Sequence, residues 1–175
     1  MKAIDLKTIK KFVEMAVEKL PGDWVIMGGS VLPLLGKQIR VTQDIDVAGP
    51  KNSTLEHTLK LMEIAEELNL PPEAINQAGA FFLNRIPHWK NHLILVAKGK
   101  KGAFYRPDLW LFIRLKISRL SESDLSDCIH MIDEVEEAEL EPKKEIVNFM
   151  KAELAKEDPQ SARGKRIQEL IKAIS

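Results

Sequence analysis

Apolar residues in the first half of the chain change their spacing repeatedly, which predicts alternating helices and strands. Spacings of three and four residues indicate helices, whereas short apolar runs bounded by glycine or proline indicate strands. The predicted elements are a helix over residues 6–20, a strand over 24–27, a helix over 31–35, a strand over 44–47, a helix over 53–68, and a hairpin of strands over 92–96 and 103–105. The apolar segment over 80–83 is ambiguous between the two types.

The second half of the chain keeps helical spacing almost to its end. Helices are predicted over residues 108–120, 123–135, 142–155 and 162–174, with Pro159 separating the last two. This order of elements predicts the fold class α/β (α+β), with a small mixed β-sheet core flanked by helices and a C-terminal helical region. We predict one domain over residues 1–106 and a helical region over 107–175 that packs on it.

The composition is that of an ordinary soluble globular protein. The chain has 175 residues, of which 45% are hydrophobic and 30% are charged. Its 26 basic residues balance its 26 acidic residues, so net charge offers no argument for a nucleic-acid or membrane partner. Cys128 is the single cysteine, and no apolar run approaches the roughly 20 residues that span a bilayer. We therefore expect a cytoplasmic protein with no membrane partner.

A glycine-rich turn follows the first predicted strand. In Gly28-Gly29-Ser30 the glycines allow the backbone to approach a phosphate closely, and the helix that follows offers unpaired N–H groups to an anion. Ser30 adds a hydroxyl donor and is also well placed to cap that helix. The turn therefore predicts a phosphate-binding site, although such turns are common in proteins without this function.

A pair of carboxylates lies on the next predicted strand. Alternation along Asp44-Ile45-Asp46-Val47 places both acids on one face, about 6.5–7 Å apart along the chain. Mg²⁺ usually takes one or two carboxylates together with substrate phosphates, so the pair can share divalent cations. The turn and the acids together are much more specific than either motif alone, and they predict a site for a metal-bound nucleotide.

These motifs resemble those of the nucleotidyltransferase superfamily, which has a polymerase-β-like fold and includes the minimal nucleotidyltransferases. The second motif reads Arg40-Val41-Thr42-Gln43-Asp44-Ile45-Asp46, a form similar to the branch that contains the AbiEii-type toxins. In that branch a Lys, an Arg and an Asp-x-x-Asp pair lie on later helices. This chain has Lys116, Arg119 and Asp124-Leu125-Ser126-Asp127 in the same order, which extends the resemblance over residues 20–135.

The resemblance implies a role for each residue of the two motifs. Asp44 and Asp46 would be the catalytic acids and would hold Mg²⁺ or Mn²⁺. The nucleotide and its phosphates would be bound by Gly28, Gly29, Ser30, Thr42, Lys116 and Arg119. The implied reaction transfers a nucleoside monophosphate from an NTP to an acceptor hydroxyl on RNA, on a protein or on a small molecule. The branch also implies an antitoxin partner within a toxin–antitoxin pair.

The chain departs from the family pattern at the third carboxylate. Active members place this acid on a later strand beside the first two, but the candidate strand over residues 92–96 contains no Asp or Glu. Asp108 and Asp124 are alternatives on predicted helices. A catalytically inactive member that binds a nucleotide or a partner protein is therefore the alternative function.

Several of the singled-out side chains also have purely structural explanations. Lys116 and Arg119 fit a solvated basic edge of a helix, and Asp124 sits in a first helical turn where an acid favours the helix dipole. Trp89, Trp110 and Phe112 are candidates for stacking on a base, but aromatic residues beside apolar runs usually belong to the core.

Overall fold

The computed structural model describes residues 4–36 and 42–175. Arg40 and Val41 of the second motif lie outside the described residues. The chain separates into two compact units, Met1–Pro107 and Asp108–Ser175. In the described part, no helix is both long enough and apolar enough to cross a membrane.

The first unit is built on a five-stranded mixed sheet, as the predicted fold class requires. Its strands are β1 (Gly22–Met27), β2 (Ile45–Ala48), β3 (Ile75–Asn76), β4 (Leu93–Lys98) and β5 (Gly102–Pro107), in the spatial order β3-β2-β1-β5-β4. β1 runs antiparallel to β2 and parallel to β5, and β2 runs parallel to β3. The predicted hairpin is confirmed, since β4 and β5 pair antiparallel.

One face of the sheet is closed by two long helices, α1 (Leu6–Lys19) and α3 (Leu55–Glu67). Both helices were predicted from their apolar spacing, and both contribute fully buried residues to the same core cluster. Aromatic rings fill its centre, where Trp24 stacks on Phe104 with ring centroids 6.3 Å apart and Phe12 meets Phe104 edge-on at 6.0 Å. Burial of such large rings makes this face the main source of stability in the first unit.

The opposite face of the sheet carries α4 (Gly79–Leu83), which is formed by the ambiguous apolar segment and contacts the side chain of Met27. A single 3₁₀ turn over Gly28–Ser30 leads from β1 into α2 (Val31–Leu34), whose Leu34 packs against the core cluster. Ile26 and Val47 are register partners in the core face, so their neighbours Met27 and Asp46, which also pair, project from the other side. The register therefore places Asp46 on the face that α1 and α3 leave uncovered.

The second unit is entirely helical among its described residues. Its helices are α5 (Leu109–Lys116), α6 (Glu122–Glu134), α7 (Glu137–Leu140), α8 (Lys143–Leu154) and α9 (Ala162–Ile174). The four predicted helices of this region are confirmed, although α5 ends several residues earlier than expected. The short helix α7 was not predicted, because four residues are too few to show a helical repeat.

Buried charges link α5 to α6 within this unit. Lys116 Nζ donates to Asp124 Oδ1 at 3.0 Å and to Asp127 Oδ2 at 2.9 Å, and both acids are 1% exposed. Arg119 adds two hydrogen bonds to the Asp124 carboxylate, at 2.7 and 2.8 Å. The Ser121 hydroxyl and backbone N–H also donate to Asp124 Oδ2, which completes a capping box at the start of α6.

The charge state of Asp124 follows from these contacts. Burial by itself would raise the pKa of this carboxyl, but the hydrogen bond from Arg119, the charge of Lys116 and the hydrogen bonds from Ser121 outweigh it. The pKa of Asp124 is therefore held well below its usual range. Burial also raises the pKa of the nearby Cys128 thiol to about 12, which makes this single cysteine an unreactive core residue.

We predict that Asp124→Asn lowers the free energy of unfolding at pH 7 by about 3 kcal/mol, because it leaves buried Lys116 with an incomplete set of carboxylate partners. A lowered pKa in the folded state means that Asp124 stabilises the protein above its unfolded pKa of about 3.9. This stabilisation is lost as the pH falls below that value toward the folded pKa. The difference between wild type and variant should therefore shrink at acid pH.

Urea denaturation followed by circular dichroism at pH 7 and pH 3 measures this difference. Asp133→Asn is the matched control, since Asp133 lies on the same helix and is exposed. Its effect should stay within about 0.5 kcal/mol at both pH values. A loss for Asp124→Asn that is equally small would show that the buried charges do not stabilise the unit.

Candidate functional site

The glycine turn at the end of β1 adopts a backbone conformation that favours glycine. Gly28 has φ +58°, in the left-handed region, and it opens the 3₁₀ turn that joins β1 to α2. Gly28 and Gly29 are both half-exposed. The turn therefore presents backbone, without side chains, on the same side of the sheet as Asp46.

Asp46 lies directly against this turn. A Cβ atom added to Gly28 would lie 2.0 Å from Asp46 Oδ2 and 2.9 Å from Asp46 Cγ, which is far closer than any van der Waals contact allows. The antiparallel register explains the contact, since Asp46 pairs with Met27, the residue before the turn. The structure thus brings together one glycine and one acid of the two predicted motifs.

Ser30 ties the turn to the start of β2. Its buried hydroxyl donates to the carbonyl oxygen of Asp44 at 3.0 Å and accepts from the backbone N–H of Asp46 at 3.3 Å. Our prediction that the Ser30 side chain caps α2 is wrong, because it makes no capping hydrogen bond and bonds to β2 instead. A phosphate contact from the same hydroxyl would have to replace the bond to Asp44, and that role stays a prediction.

Asp44 precedes β2 by one residue and is half-exposed. The hydroxyl of Thr42, which is 6% exposed, lies 2.9 Å from the Asp44 carbonyl oxygen and 3.3 Å from Asp44 Oδ1. Since a hydroxyl carries one proton, Thr42 donates to one of these oxygens at a time. Its described contacts are therefore with the acid, which fits a positioning role, and a contact with nucleotide stays a prediction.

A residue that the sequence analysis missed holds the carboxylate of Asp46. Asn76 pairs with Asp46 in the parallel register of β2 and β3, and its Nδ2 donates to Asp46 Oδ1 at 2.7 Å. The other end of the amide accepts the backbone N–H of Ala78 at 3.0 Å. This second bond settles the orientation of the amide, because an N–H needs an acceptor and therefore faces the Asn76 oxygen.

The strand over residues 92–96, our candidate for the position of a third carboxylate, does not lie beside the two acids. The strand over residues 92–96 corresponds to β4, which lies at the far edge of the sheet, whereas the strand beside β2 is β3. Asn76 therefore lies beside Asp46, where the resemblance predicts a third carboxylate. The sequence could not reveal β3, because a strand of two residues is too short to show an alternating pattern. Only its pairing with β2 identifies it.

Asp44 and Asp46 are the carboxylates available for a divalent cation at this site. Within residues 4–36 and 42–175, no three His, Cys, Asp or Glu side chains come together in a group that could hold a metal ion. Two acids still fit Mg²⁺ or Mn²⁺, because such an ion takes its remaining ligands from substrate phosphates and water. Asp108 caps α5 by accepting from Leu111 N at 2.8 Å, and Asp124 belongs to the ion pairs of the second unit.

Lys116 and Arg119, the two basic residues predicted to bind phosphate, have carboxylate partners in the second unit. The side chain of Lys116 is 10% exposed and contacts two acids, so a phosphate would have to compete with both. The side chain of Arg119 is 75% exposed and contacts Asp124 through one edge of its guanidinium group. Their contact with phosphate stays a prediction.

Comparison with known proteins gave one match. A family model described as "Nucleotidyltransferase of unknown function (DUF6036)" matches residues 5–159, which include both motifs and the Lys116 to Asp127 segment. Neither the curated proteins nor the solved structures that were compared gave a match.

We predict that Gly28→Ala destabilises the protein through its clash with the Asp46 carboxylate. Left-handed backbone strain alone costs about 1–2 kcal/mol, and the clash adds to that cost. In an Asp46→Ala background the nearest carboxylate atoms are gone, so the same substitution should cost only the strain. The free energies of unfolding of the four proteins form a double-mutant cycle that isolates the contact.

Gly36→Ala is the control for backbone strain. Gly36 has φ +105°, but a Cβ added there meets no atom of residues 4–36 and 42–175 within 4 Å. Since Asp46 is among the described residues and none of their atoms lies within 4 Å of that Cβ, the cost should be the same with and without Asp46. A cost of Gly28→Ala that is also unchanged by Asp46→Ala would mean that the turn and the acid do not touch in solution.

Proposed function

Because the chain belongs to the family of nucleotidyltransferases matched over residues 5–159, we propose that it transfers a nucleoside monophosphate from an NTP to an acceptor hydroxyl. In this reaction the acceptor oxygen forms a bond to the α-phosphorus, and the bond from that phosphorus to the leaving pyrophosphate breaks. The contact between Gly28 and the Asp46 carboxylate supports the proposal, since it lies between the turn that would bind the phosphates and an acid that would bind the metal.

Each part of the site has a task in the proposed reaction. The turn over Gly28–Ser30 binds the triphosphate through its backbone, because its two glycines carry no side chain that would keep a phosphate away. Asp44 and Asp46 hold Mg²⁺ or Mn²⁺. When bound, such a cation neutralises charge on the triphosphate and lowers the pKa of an attacking hydroxyl.

The neighbouring polar residues position these groups. Ser30 bonds to the backbone at Asp44 and Asp46, so the turn and the acids cannot separate without breaking those bonds. Asn76 directs one oxygen of Asp46, and Thr42 contacts Asp44. Fixing two carboxylates before the ligand arrives reduces the entropy that binding must overcome, as preorganised sites do.

The alternative proposal is a nucleotide-binding protein without transfer activity. The amide of Asn76 favours it, because an amide cannot accept a proton from an attacking hydroxyl as a third carboxylate would. Both proposals require nucleotide binding, and they differ in pyrophosphate release. Incubation with labelled NTPs and a total RNA and protein extract, followed by locating the label, separates them and identifies the acceptor.

An antitoxin partner and a cytoplasmic location complete the proposal. The antitoxin partner rests on the similarity of residues 40–46 and of the Lys116 to Asp127 segment to AbiEii-type toxins, and the cytoplasmic location rests on the composition and the single cysteine. The labelling experiment bears on the toxin proposal as well, since transfer to RNA or to a cellular protein is a reaction that an antitoxin would need to restrain.

We predict that Asp44→Asn combined with Asp46→Asn abolishes Mg²⁺-dependent NTP binding while leaving the fold intact. Asparagine keeps the size of aspartate and removes the charge that holds the cation. For the wild type, a ligand at a hundred times its Kd stabilises the folded state by about 2.7 kcal/mol, which raises Tm by several degrees. Thermal-shift titration with each NTP and Mg²⁺ measures the effect. Equal shifts in both proteins would reject the metal site.

Asn76 gives a second prediction that does not depend on activity. Asn76→Asp places a third carboxylate beside Asp46, so like charges should lower the Tm in EDTA and Mg²⁺ should restore it. Asn76→Ala removes the donor that orients Asp46 and should weaken Mg²⁺-dependent NTP binding about tenfold or more. Both effects are measured by thermal shift. A Tm of Asn76→Asp that does not respond to Mg²⁺ would contradict a cation at this position.

A further inference from the structure

A groove on the face of the sheet opposite α1 and α3 has a lining that the proposed transfer reaction does not use. It encloses about 520 Å³, within the usual range for small-ligand sites. We define this Trp89 groove by six of its lining residues, namely Val25, Lys51, Asn84, Trp89, Lys90 and Tyr105. All of them belong to the first unit.

The Trp89 groove opens on the same face as Asp46. Val25 pairs with Tyr105 on one side and with Ala48 on the other, so these three side chains project together. Met27, the register partner of Asp46, lies two residues beyond Val25 on β1 and projects the same way. The groove therefore begins about 7 Å along the strand from the acids.

The lining combines aromatic rings with amide and cationic groups. Trp89 and Tyr105 are half-exposed, whereas Trp24 is fully buried in the core. Lys90 Nζ lies 5.7 Å from the centre of the Trp89 ring, and Asn84, which is exposed, also lines the groove. Flat rings offer stacking to a base, amides offer donors and acceptors to its edge, and ammonium groups attract its phosphates.

Charge narrows the choice of ligand further. Lys51 and Lys90 are exposed in the lining, which also includes one acid, Asp23. A basic lining attracts an anion and repels a polycation such as an aminoglycoside. A peptide hydroxyl would need neither the rings nor the ammonium groups. The lining therefore suits a nucleotide better than the other acceptor classes.

We propose that the Trp89 groove is a nucleobase-binding site, in which a base stacks on Trp89 and its phosphates lie near Lys51 and Lys90. Two sources of the base share this chemistry, the NTP itself and the terminal nucleotide of a single-stranded RNA. Only the choice between these two sources rests on the proposed function. Binding of a base in the groove stands independently of transfer at Asp44 and Asp46.

Fluorescence anisotropy of a labelled RNA hexamer, and competition by each unlabelled NTP, tests the groove in the full-length protein with EDTA present. Trp89→Ala should raise the Kd of the base-containing ligand about tenfold, because it removes the stacking surface. Trp89→Phe keeps an aromatic ring and should restore most of the affinity. Weakening for the hexamer alone identifies a polynucleotide end, and weakening for the NTP alone identifies the donor base.

Paired lysine variants test the phosphate contacts. Lys51→Ala with Lys90→Ala should weaken binding and reduce its dependence on salt. Lys10→Ala with Lys11→Ala removes the same charge from α1, which covers the opposite face of the sheet, and should leave the Kd unchanged. Equal Kd values for wild type and Trp89→Ala, or no binding of either ligand by the wild type, would overturn the proposal.

The Asp44→Asn, Asp46→Asn variant separates this proposal from the transfer reaction. Without metal it should bind the hexamer at least as tightly as the wild type does, since neither acid lines the groove and the substitutions remove negative charge. If this variant keeps the full Mg²⁺-dependent thermal shift with NTP while Trp89→Ala loses metal-free binding, the metal site is rejected and base binding in the groove is supported. The reverse pattern would support the metal site and contradict base binding in the groove.

Discussion

The packing of the Asp46 carboxylate against Gly28 is the contact on which the candidate site depends. A hydrogen atom is the largest substituent that fits between this backbone and the acid, so the two motifs approach more closely than any other residue type at position 28 would allow. The strand pairing that delivers Asp46 to the turn is reinforced by the Ser30 hydroxyl, which bonds to the backbone of both neighbouring acids. Turn, strand and acid thus form a single rigid arrangement.

The two units treat their aspartates in opposite ways. Asp124 and Asp127 are buried against Lys116, and Arg119 also pairs with Asp124, so two cations balance the two acids and make them part of the structure. Asp44 and Asp46 are half-exposed and contact the hydroxyl of Thr42 and the amide of Asn76. Through these contacts a neutral hydroxyl and a neutral amide orient the carboxylates, as partners of metal ligands do.

The sheet has one face covered by α1 and α3 and an opposite face that carries the candidate site. α1 and α3 close one face with a continuous apolar core, so polar groups of the central strands that point away from it are gathered on the other. Asp46, Asn76 and the Trp89 groove all lie there because strand register alternates side chains between faces. A ligand that spans the turn and the groove would cross only one surface.

The amino-acid sequence by itself determined the long elements and the two motifs. Apolar spacing predicted α1, α3 and four of the helices of the second unit (α5, α6, α8 and α9), and punctuation by glycine and proline predicted β1, β2 and the hairpin, because these signals are local. Tertiary structure alone decided which strand lies beside β2, where the Ser30 hydroxyl bonds, and that Lys116 pairs with acids. Those outcomes depend on residues that meet across the sheet or between helices, and a distance between residues far apart in the chain leaves no periodic signal in the sequence.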